Sequence, residues 1–479
     1  MQQLNPQDAQ FLYLETRNNL THVTGVTIYD PSTAPGGQVR FKDIISHVSS
    51  RLHTSPIFKR KLVRLPFEID HPYWDEDEYF DVEYHIQHGR LPEPGDWRQF
   101  CIHVARYHSR PLDMQRPLWE MFVIEGLDRI EGLPPGCYAI ATKIHHAAID
   151  GGAAVRFFGA LNDLDSDGTP ALPYAEAEDF TPPGPLSKRE LVARAMIRNV
   201  KSPVKMLKKV VGSTPMIYRA AQRAVEKFDE VRSQKVPWTR FDVDVSPHKM
   251  YDATTFELAD LKRIKRLVPN ATINDVVLAI CSGGLRRFLM DAEELPKESL
   301  VAWVPINARS AFERDAPGNH IAAMTAALHT HIEDPVACLT AIRDTTRKTK
   351  EAKQGLSARL MTDLSQHVPA ATQLVASRLV LQSALRPHVC NLFISNVPGP
   401  QVPLYMNGAK CVRTHALAPL VPGMGLFIAT PSYNGLMTFN VVSTREILPD
   451  IARFMDALRS AFDVLLSRAT APVGEAEPA

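Results

Sequence analysis

The chain is poor in cysteine, and its cysteines are widely spaced. Its 479 residues hold six: Cys101, Cys137, Cys281, Cys338, Cys390 and Cys411. No two of them form the close pairs that disulfide frameworks and structural zinc sites use. We therefore expect reduced, mostly buried thiols, as in a cytoplasmic protein, and no metal site.

Long uninterrupted apolar runs are also absent. Two stretches without charged side chains, residues 387–409 and 414–443, are broken by proline, glycine, asparagine and serine. A membrane-spanning helix needs about 20 mostly apolar residues without such breaks. We interpret both stretches as buried strands and turns. The opening residues, MQQLNPQDAQF, lack the basic and apolar segments of a secretory signal peptide, so none is expected.

Several sequence signatures of other function classes are missing. No Walker A loop is present, no GxGxxG follows a strand, and the GxSxG elbow of serine hydrolases is absent. The net charge is only +1, which gives the whole chain no electrostatic attraction to nucleic acid, and we expect no nucleic-acid partner. Apolar residues (45%) and charged residues (22%) stand in the proportions of a globular protein.

The length and the composition shifts predict two domains joined by a linker. We place the first domain at residues 1–180, a basic helical linker at 181–239 and the second domain at 240–468. The polar residues 469–479 are expected to be a disordered tail. Hydrophobic periodicity predicts helices at residues 41–52, 258–268 and 274–289, and strands at 138–144, 301–306 and 436–442.

The linker contains an amphipathic and strongly basic segment. Residues 187–235 hold 13 Lys and Arg against four Asp and Glu, with apolar residues at helical spacing and a kink expected at Pro203. Such a helix either docks its apolar stripe on the protein or lies on an anionic membrane or lipid inclusion. Amphipathicity alone does not separate the two interpretations.

The feature with the clearest chemistry is HHAAIDG, residues 145–151, directly after the predicted strand 138–144. Adjacent residues of an extended chain point to opposite sides, so one histidine can face a cleft while the other packs behind it. A neutral imidazole can take the proton of an alcohol that attacks a thioester, and can then protonate the departing thiolate. The alternatives are two structural histidines or a metal site using His146 and Asp150, for which no third ligand is evident.

Further blocks of sequence surround this motif in a recognisable order. They are LNPQDAQFLYLE (residues 4–15), FDVEYH (80–85), LPEPG (91–95), RPLD (110–113), RPLWE (116–120), INDVVL (273–278), PINAR (305–309) and SNVPGP (395–400). Together with HHAAIDG, they resemble the bacterial wax ester synthase/diacylglycerol acyltransferase family, within the chloramphenicol-acetyltransferase-like HHxxxDG superfamily. The resemblance extends from residue 4 to about residue 468.

The resemblance implies an α/β fold of two chloramphenicol-acetyltransferase-like domains, each with a mixed sheet flanked by helices, and a substrate tunnel between them. It makes His146 the catalytic base, with His145 as its support and Asp150 as a mainly structural residue. Gly151, whose lack of a side chain permits a sharp turn, provides the bend that follows.

Other motif residues receive channel or structural roles from the same resemblance. Asn274 is expected to face the active-site channel, where an amide can bond the thioester oxygen or the acceptor; a helix N-cap is its alternative role. Glu15 is a weaker channel candidate, with an exposed helix carboxylate as the alternative. We expect structural roles for Pro117, Leu118, Trp119, Asp275, Asn396, Pro398 and Gly399, the last three in a turn that forms a crossover.

The activity implied is acyl-CoA-dependent O-acylation of long-chain alcohols or diacylglycerol, without a separate cofactor and without a covalent acyl-enzyme. The alternatives are acylation of another lipid or polyketide-like alcohol, or a non-catalytic lipid-inclusion-binding protein. We expect a cytoplasmic location, with attachment to the inner membrane face or to lipid inclusions left open. The sequence departs from the family pattern at Thr21-His22, where Met-His is usual, and at Ser443-Thr444, and neither departure is expected to touch the base.

Overall fold

The structure is a computed structural model. It describes residues 1–66, 69–149, 157–171, 190, 236–307, 321–353, 370–381 and 388–470. Asp150, Gly151, residues 191–235 of the linker and the tail from residue 471 lie outside these ranges, so the predictions made for them are not addressed by it.

The strands follow one another through both halves of the chain. Their bounds are β1 Gln2–Gln3, β2 His22–Asp30, β3 Arg60–Val63, β4 Tyr73–Glu76, β5 Ile86–Arg90, β6 Trp119–Glu125, β7 Tyr138–His145, β8 Lys249–Glu257, β9 Val301–Asn307, β10 Ile321–Ala327, β11 Leu392–Pro398, β12 Tyr405–Met406, β13 Ala409–Leu417, β14 Phe427–Tyr433 and β15 Leu436–Thr444. The predicted strands at 138–144, 301–306 and 436–442 correspond to β7, β9 and β15, which confirms them.

The helices confirm the periodicity predictions in the same way. Their bounds are α1 Pro6–Leu14, α2 Phe41–Arg51, α3 Val82–His85, α4 Trp97–His108, α5 Leu258–Lys265, α6 Ile273–Asp291, α7 Pro335–Lys353, α8 Ala370–Leu381 and α9 Ile451–Thr470. The helix predicted at 41–52 is α2, which buries Ile44 and Val48 of its apolar stripe. Those predicted at 258–268 and 274–289 are α5 and α6, with ends within a few residues of the expected ones.

Most strands belong to two mixed sheets. Among the described residues, one six-stranded sheet has the order β12-β13-β2-β7-β6-β5, and the other has the order β10-β9-β11-β14-β15-β8. In the first sheet β7 runs antiparallel to both of its neighbours, while β5 and β6 are parallel. In the second, β11 is parallel to β9 and to β14. Two mixed sheets with helices confirm the predicted α/β class.

The chain crosses between the sheets after β11. It leaves the second sheet at Pro398, enters the first at Tyr405, pairs β13 along β2, and then returns as β14. The predicted crossover is therefore present. The prediction of a turn over residues 395–400 was wrong for residues 395–398, which are part of β11. Asn396 and Pro398 continue β11, because both pair with β14, at Thr430 and Ser432.

The close approach of the backbone at residue 399 to β14 explains why this residue is a glycine. A Cβ atom at Gly399 would lie 2.3 Å from the carbonyl oxygen of Ser432, far inside van der Waals contact. The backbone N–H of Gly399 instead donates to the Ser432 hydroxyl at 3.3 Å. Glycine thus lets the chain pass close to β14 as it leaves the sheet.

Contacts between the two halves form a continuous apolar core. Phe100 and Val104 of α4 belong to the same buried cluster as Tyr251 of β8. Beside them, the indole N–H of Trp97 donates to the Asp252 carboxylate at 2.8 Å. The first half of the chain is therefore packed on the edge strand of the second sheet.

Two sequence expectations concern chemistry rather than fold. All six cysteines are free and buried, as expected, and burial raises the pKa of the Cys390 and Cys411 thiols to about 12. In the part of the chain that the structure describes, no helix combines the length and the apolar character that a bilayer crossing demands.

Candidate active site

The histidine pair stands at the end of β7, and the neighbouring strands hold its backbone. The N–H of His145 donates to the Leu118 carbonyl at 3.0 Å, and the N–H of His146 donates to the Thr21 carbonyl at 2.9 Å. The N–H of Ala148 then donates to the carbonyl of His145, which starts a turn. Both imidazoles therefore project from a backbone that two strands fix in place.

His145 is wholly enclosed, and both of its ring nitrogens are engaged. Its Nδ1 accepts the backbone N–H of Ala147 at 3.0 Å, so the proton of the neutral ring sits on Nε2. Nε2 faces the Thr21 hydroxyl oxygen at 3.1 Å and a Glu15 carboxylate oxygen at 3.2 Å. The side chain is 0% exposed. This ring has no free lone pair with which to accept a substrate proton.

His146 has different surroundings. Its side chain is half-buried, and its ring stacks on Phe11 with centroids 4.0 Å apart and planes 12° apart. The Phe11 ring covers one face of the His146 imidazole. Because Phe11 belongs to α1, the helix holds the Phe11 ring in place and thereby restrains the plane of the imidazole. The two histidines thus differ in burial, with His145 enclosed and His146 half-buried, as expected for adjacent residues of a strand.

Glu15 caps the end of α1 and points inward. Its carboxylate, 16% exposed, lies against His145 rather than free in solvent, so the alternative of an exposed helix carboxylate was wrong. A carboxylate that accepts the Nε2 proton holds the ring in one tautomer and orientation. Glu15 is therefore placed to orient the His145 ring.

The RPLWE block supports the same strand end. Leu118 packs with Ala147 in one apolar cluster, while its carbonyl accepts the His145 N–H. Trp119, 1% exposed, donates its indole N–H to the Phe58 carbonyl at 2.9 Å and stacks on His85. Pro117 precedes them and its carbonyl accepts the Trp119 N–H at 2.8 Å. The three residues contact their neighbours by apolar packing and by hydrogen bonds to backbone groups, as residues with a structural role do.

The INDVVL block begins α6, and its two polar residues differ in environment. Thr272 is the N-cap of α6, so the alternative N-cap role for Asn274 was wrong; Asn274 is the second helical residue and is half-buried. Asp275, 2% exposed, closes a capping box by accepting the backbone N–H and hydroxyl of Thr272, each at 2.7 Å. It also accepts the Thr346 hydroxyl at 2.7 Å, which ties α6 to α7.

The charges behind the histidine pair are balanced. Burial, together with the neighbouring Lys143 and Lys249, lowers the pKa of His108 to about 3, and burial likewise lowers the pKa of His22. Burial lowers the pKa of Lys143 too, but its ammonium pairs with Glu120 at 2.9 Å. His22 and His108 are therefore neutral, and the buried Lys143 ammonium has a counter-ion.

Thr21 and Phe11 are site residues that the sequence analysis did not assign. Thr21 was expected not to touch the base, and this was wrong, since its carbonyl accepts the His146 N–H and its hydroxyl meets His145. The strand predicted at 436–442 extends further in the structure, and Ser443 and Thr444 are its last two residues. Within the described ranges no group of three or more His, Cys, Asp or Glu side chains could hold a metal ion.

Comparison with known proteins decides the family. The model of the wax ester synthase/diacylglycerol acyltransferase catalytic domain matches residues 4–277, and that of the family's C-terminal domain matches residues 317–466. The chain belongs to this family. The resemblance read from the sequence blocks is thereby confirmed.

Individual relatives cover nearly the whole chain. O-acyltransferase WSD of Acinetobacter baylyi is 32% identical over 471 residues, which are 96% of this chain and 95% of that protein. The solved wax ester synthase/diacylglycerol acyltransferase of Marinobacter aquaeolei VT8 is 25% identical, with a TM-score of 0.66 over 98% of this chain and 99% of that one. The trichothecene 15-O-acetyltransferase TRI3 of Fusarium sporotrichioides, 11% identical with a TM-score of 0.62 over 97% and 95%, shares the fold.

Asn274 and Asp275 should differ in their effect on stability. Asp275→Ala loses a helix cap and the Thr346 bond, and we expect it to lower the free energy of unfolding by about 2 kcal/mol. Asn274→Ala should change it by less than about 1 kcal/mol. Urea unfolding of both variants measures the difference in the free energy of unfolding, provided that its dependence on urea concentration is the same as in the parent. Equal losses in the two variants would contradict the structural assignment of Asp275.

Proposed function

We propose that the protein is an acyl-CoA-dependent O-acyltransferase that esterifies long-chain alcohols, diacylglycerol or both, with His146 as general base. The observation that carries the proposal is the division of the histidine pair. Both ring nitrogens of His145 are engaged in the core, whereas His146 is only half-buried. Membership of the family supplies the substrate classes.

The proposed reaction is one direct acyl transfer. The acceptor oxygen attacks the thioester carbonyl carbon while His146 takes the hydroxyl proton, and a tetrahedral oxyanion forms. The C–S bond then breaks, the carbonyl reforms, and the imidazolium protonates the CoA thiolate, so the products are an ester and CoA. The thioester is already activated, so neither a cofactor nor a covalent acyl-enzyme is needed. A positioned base contributes about 10²–10⁴-fold to such a step.

Other residues of the motif blocks receive proposed roles around this step. We propose that the Asn274 amide donates to the developing oxyanion or to the acceptor, a contribution that matters most where water is excluded. Asp150 is proposed to support the loop after the histidines, and Gly151 to give its turn. The substrate tunnel between the two sheets is part of the same proposal, with acyl-CoA and acceptor meeting at His146.

We also propose that the enzyme works at a lipid surface. The apolar acceptors are concentrated in membranes and lipid inclusions. The segment at residues 187–235 contains 13 basic residues against four acidic ones. Each Lys or Arg near an anionic surface adds about 1 kcal/mol of attraction. The proposed location is therefore the cytoplasm, with attachment to the inner membrane face or to lipid inclusions.

The proposed activity is tested with palmitoyl-CoA and either hexadecanol or dioleoylglycerol, following free CoA and the ester. We expect acceptor-dependent CoA release, and we expect His146→Ala to lower kcat by roughly 10²-fold or more. His248→Ala is the matched control, because His248 is exposed and pairs with Glu446 at the surface of the second half. Equal turnover by His146→Ala and the parent, with both folded, would reject the assigned base.

The lipid-surface proposal is tested by flotation with vesicles containing anionic phospholipid. Replacing Lys201, Lys205, Lys208 and Lys209 with Gln should reduce the floated fraction, and added salt should reduce that of the parent, because the attraction is electrostatic. Replacement of Lys42 and Lys297, two exposed lysines outside the basic segment, serves as the control. Unchanged flotation of the fourfold variant would remove the proposal.

A further inference from the structure

Thr21 connects both histidines to α1. The residue lies just before β2 and is 4% exposed. Its hydroxyl donates to the Phe11 carbonyl at 2.9 Å and therefore meets His145 Nε2, at 3.1 Å, as an acceptor. Its backbone carbonyl accepts the His146 N–H at 2.9 Å. One side chain thus bridges the helix that stacks on His146 and the ring that backs it.

We propose that the Thr21 hydroxyl is a positioning element for the base. It acts through two neighbours, since it holds the backbone of Phe11, whose ring stacks on His146, and shares the Nε2 proton of His145 with Glu15. The inference rests on the proposed acyl transfer and deepens it. Thr21 touches no reacting atom; it sets the plane of the imidazole that does.

The rate of proton transfer is sensitive to such a placement. A base must stand within hydrogen-bond reach of the proton it accepts, and small displacements of reacting groups lower rates strongly. Substrate binding depends on the channel walls instead. Loss of the hydroxyl should therefore appear in kcat and not in KM.

The test compares Thr21→Val, which keeps the shape but removes the hydroxyl, with Thr21→Ser, which keeps it. We expect kcat to fall roughly tenfold in Thr21→Val, the rate equivalent of one hydrogen bond. KM for palmitoyl-CoA and for the acceptor should stay within about twofold, and Thr21→Ser should recover most of kcat. A Thr21→Val enzyme with parental kcat, or a Thr21→Ser enzyme as slow as Thr21→Val, would overturn the proposal.

A double-mutant cycle that combines Thr21→Val with Glu15→Ala distinguishes an effect on the position of the base from an effect on general stability. Thr21 and Glu15 accept the same N–H of His145, so their effects on kcat should not multiply. Simple multiplication of the two effects would show that they act independently and count against the shared role. Lack of turnover in the parent with every acceptor is a different result, which refutes the acyl transfer itself.

A separate observation concerns a basic groove on the second half. It has a volume of about 610 Å³ and is lined by Lys262, Lys265, Arg266, Val268, Pro269, Asn270, Ala271 and Ile273. The three cationic side chains are exposed and form no ion pair with a described residue. The described residues that line the groove include no carboxylate, although the whole chain carries a net charge of only +1.

We infer that this groove binds the phosphates of the nucleotide part of acyl-CoA, an inference that rests on the proposed function. Three cations without an ion-pair partner among the described residues suit a phosphate monoester and a diphosphate, and the apolar wall of Val268, Pro269 and Ala271 suits an adenine ring. Ile273 lines the groove and directly precedes Asn274. The pantetheine arm would lead from the groove towards that amide.

The groove is tested by comparing palmitoyl-CoA, its 3′-dephospho form and palmitoyl-pantetheine as acyl donors. In the Lys262→Gln, Lys265→Gln, Arg266→Gln variant we expect KM for palmitoyl-CoA to rise about tenfold, with little change for palmitoyl-pantetheine, which carries no nucleotide. A control variant changes three exposed cations elsewhere: Lys42, Lys297 and Arg453.

The outcomes separate the possible roles of these cations. An unchanged KM for palmitoyl-CoA, or an equal rise for palmitoyl-pantetheine, would overturn the nucleotide site. Reduced flotation with anionic vesicles at an unchanged KM would assign the groove to lipid phosphate and likewise overturn it. A parent enzyme that uses none of the donors would instead refute the acyl transfer.

Discussion

The pairing of β7 with a strand on each side is the constraint on which the site depends. Because β2 and β6 hold the end of β7, adjacent side chains must leave it in opposite directions. His145 points into the core, where both of its ring nitrogens are engaged, and His146 is half-buried beside Phe11. The different surroundings of the two histidines arise from this geometry.

The support of that strand end comes from distant parts of the chain. Leu118, directly before β6, and Trp119, its first residue, contact it on one side, while Thr21 and Glu15 reach it from the segment around α1. The second half contributes β12 and β13 to the first sheet and packs β8 on α4. The site therefore stands on one continuous structure, even though the chain divides into two sheets.

The sequence predicted those structural features that depend on residues close to one another along the chain. Amphipathic periodicity placed α2, α5 and α6, and short apolar runs placed β7, β9 and β15, because these patterns follow from the 3.6- and 2-residue repeats of the backbone. The turn over residues 395–400 was misjudged, since Pro and Gly usually end strands. Here Pro398 continues β11 and the turn begins only at Gly399.

By itself, the sequence determined the α/β class, the family, and the histidine pair with its opposed directions, because each depends on local order along the chain. Only the tertiary structure decided that Thr21 and Glu15 share one proton of His145, across separations of 124 and 130 residues. It also placed Thr272, not Asn274, at the cap of α6. Such contacts arise when distant segments pack against one another, and no periodicity records them.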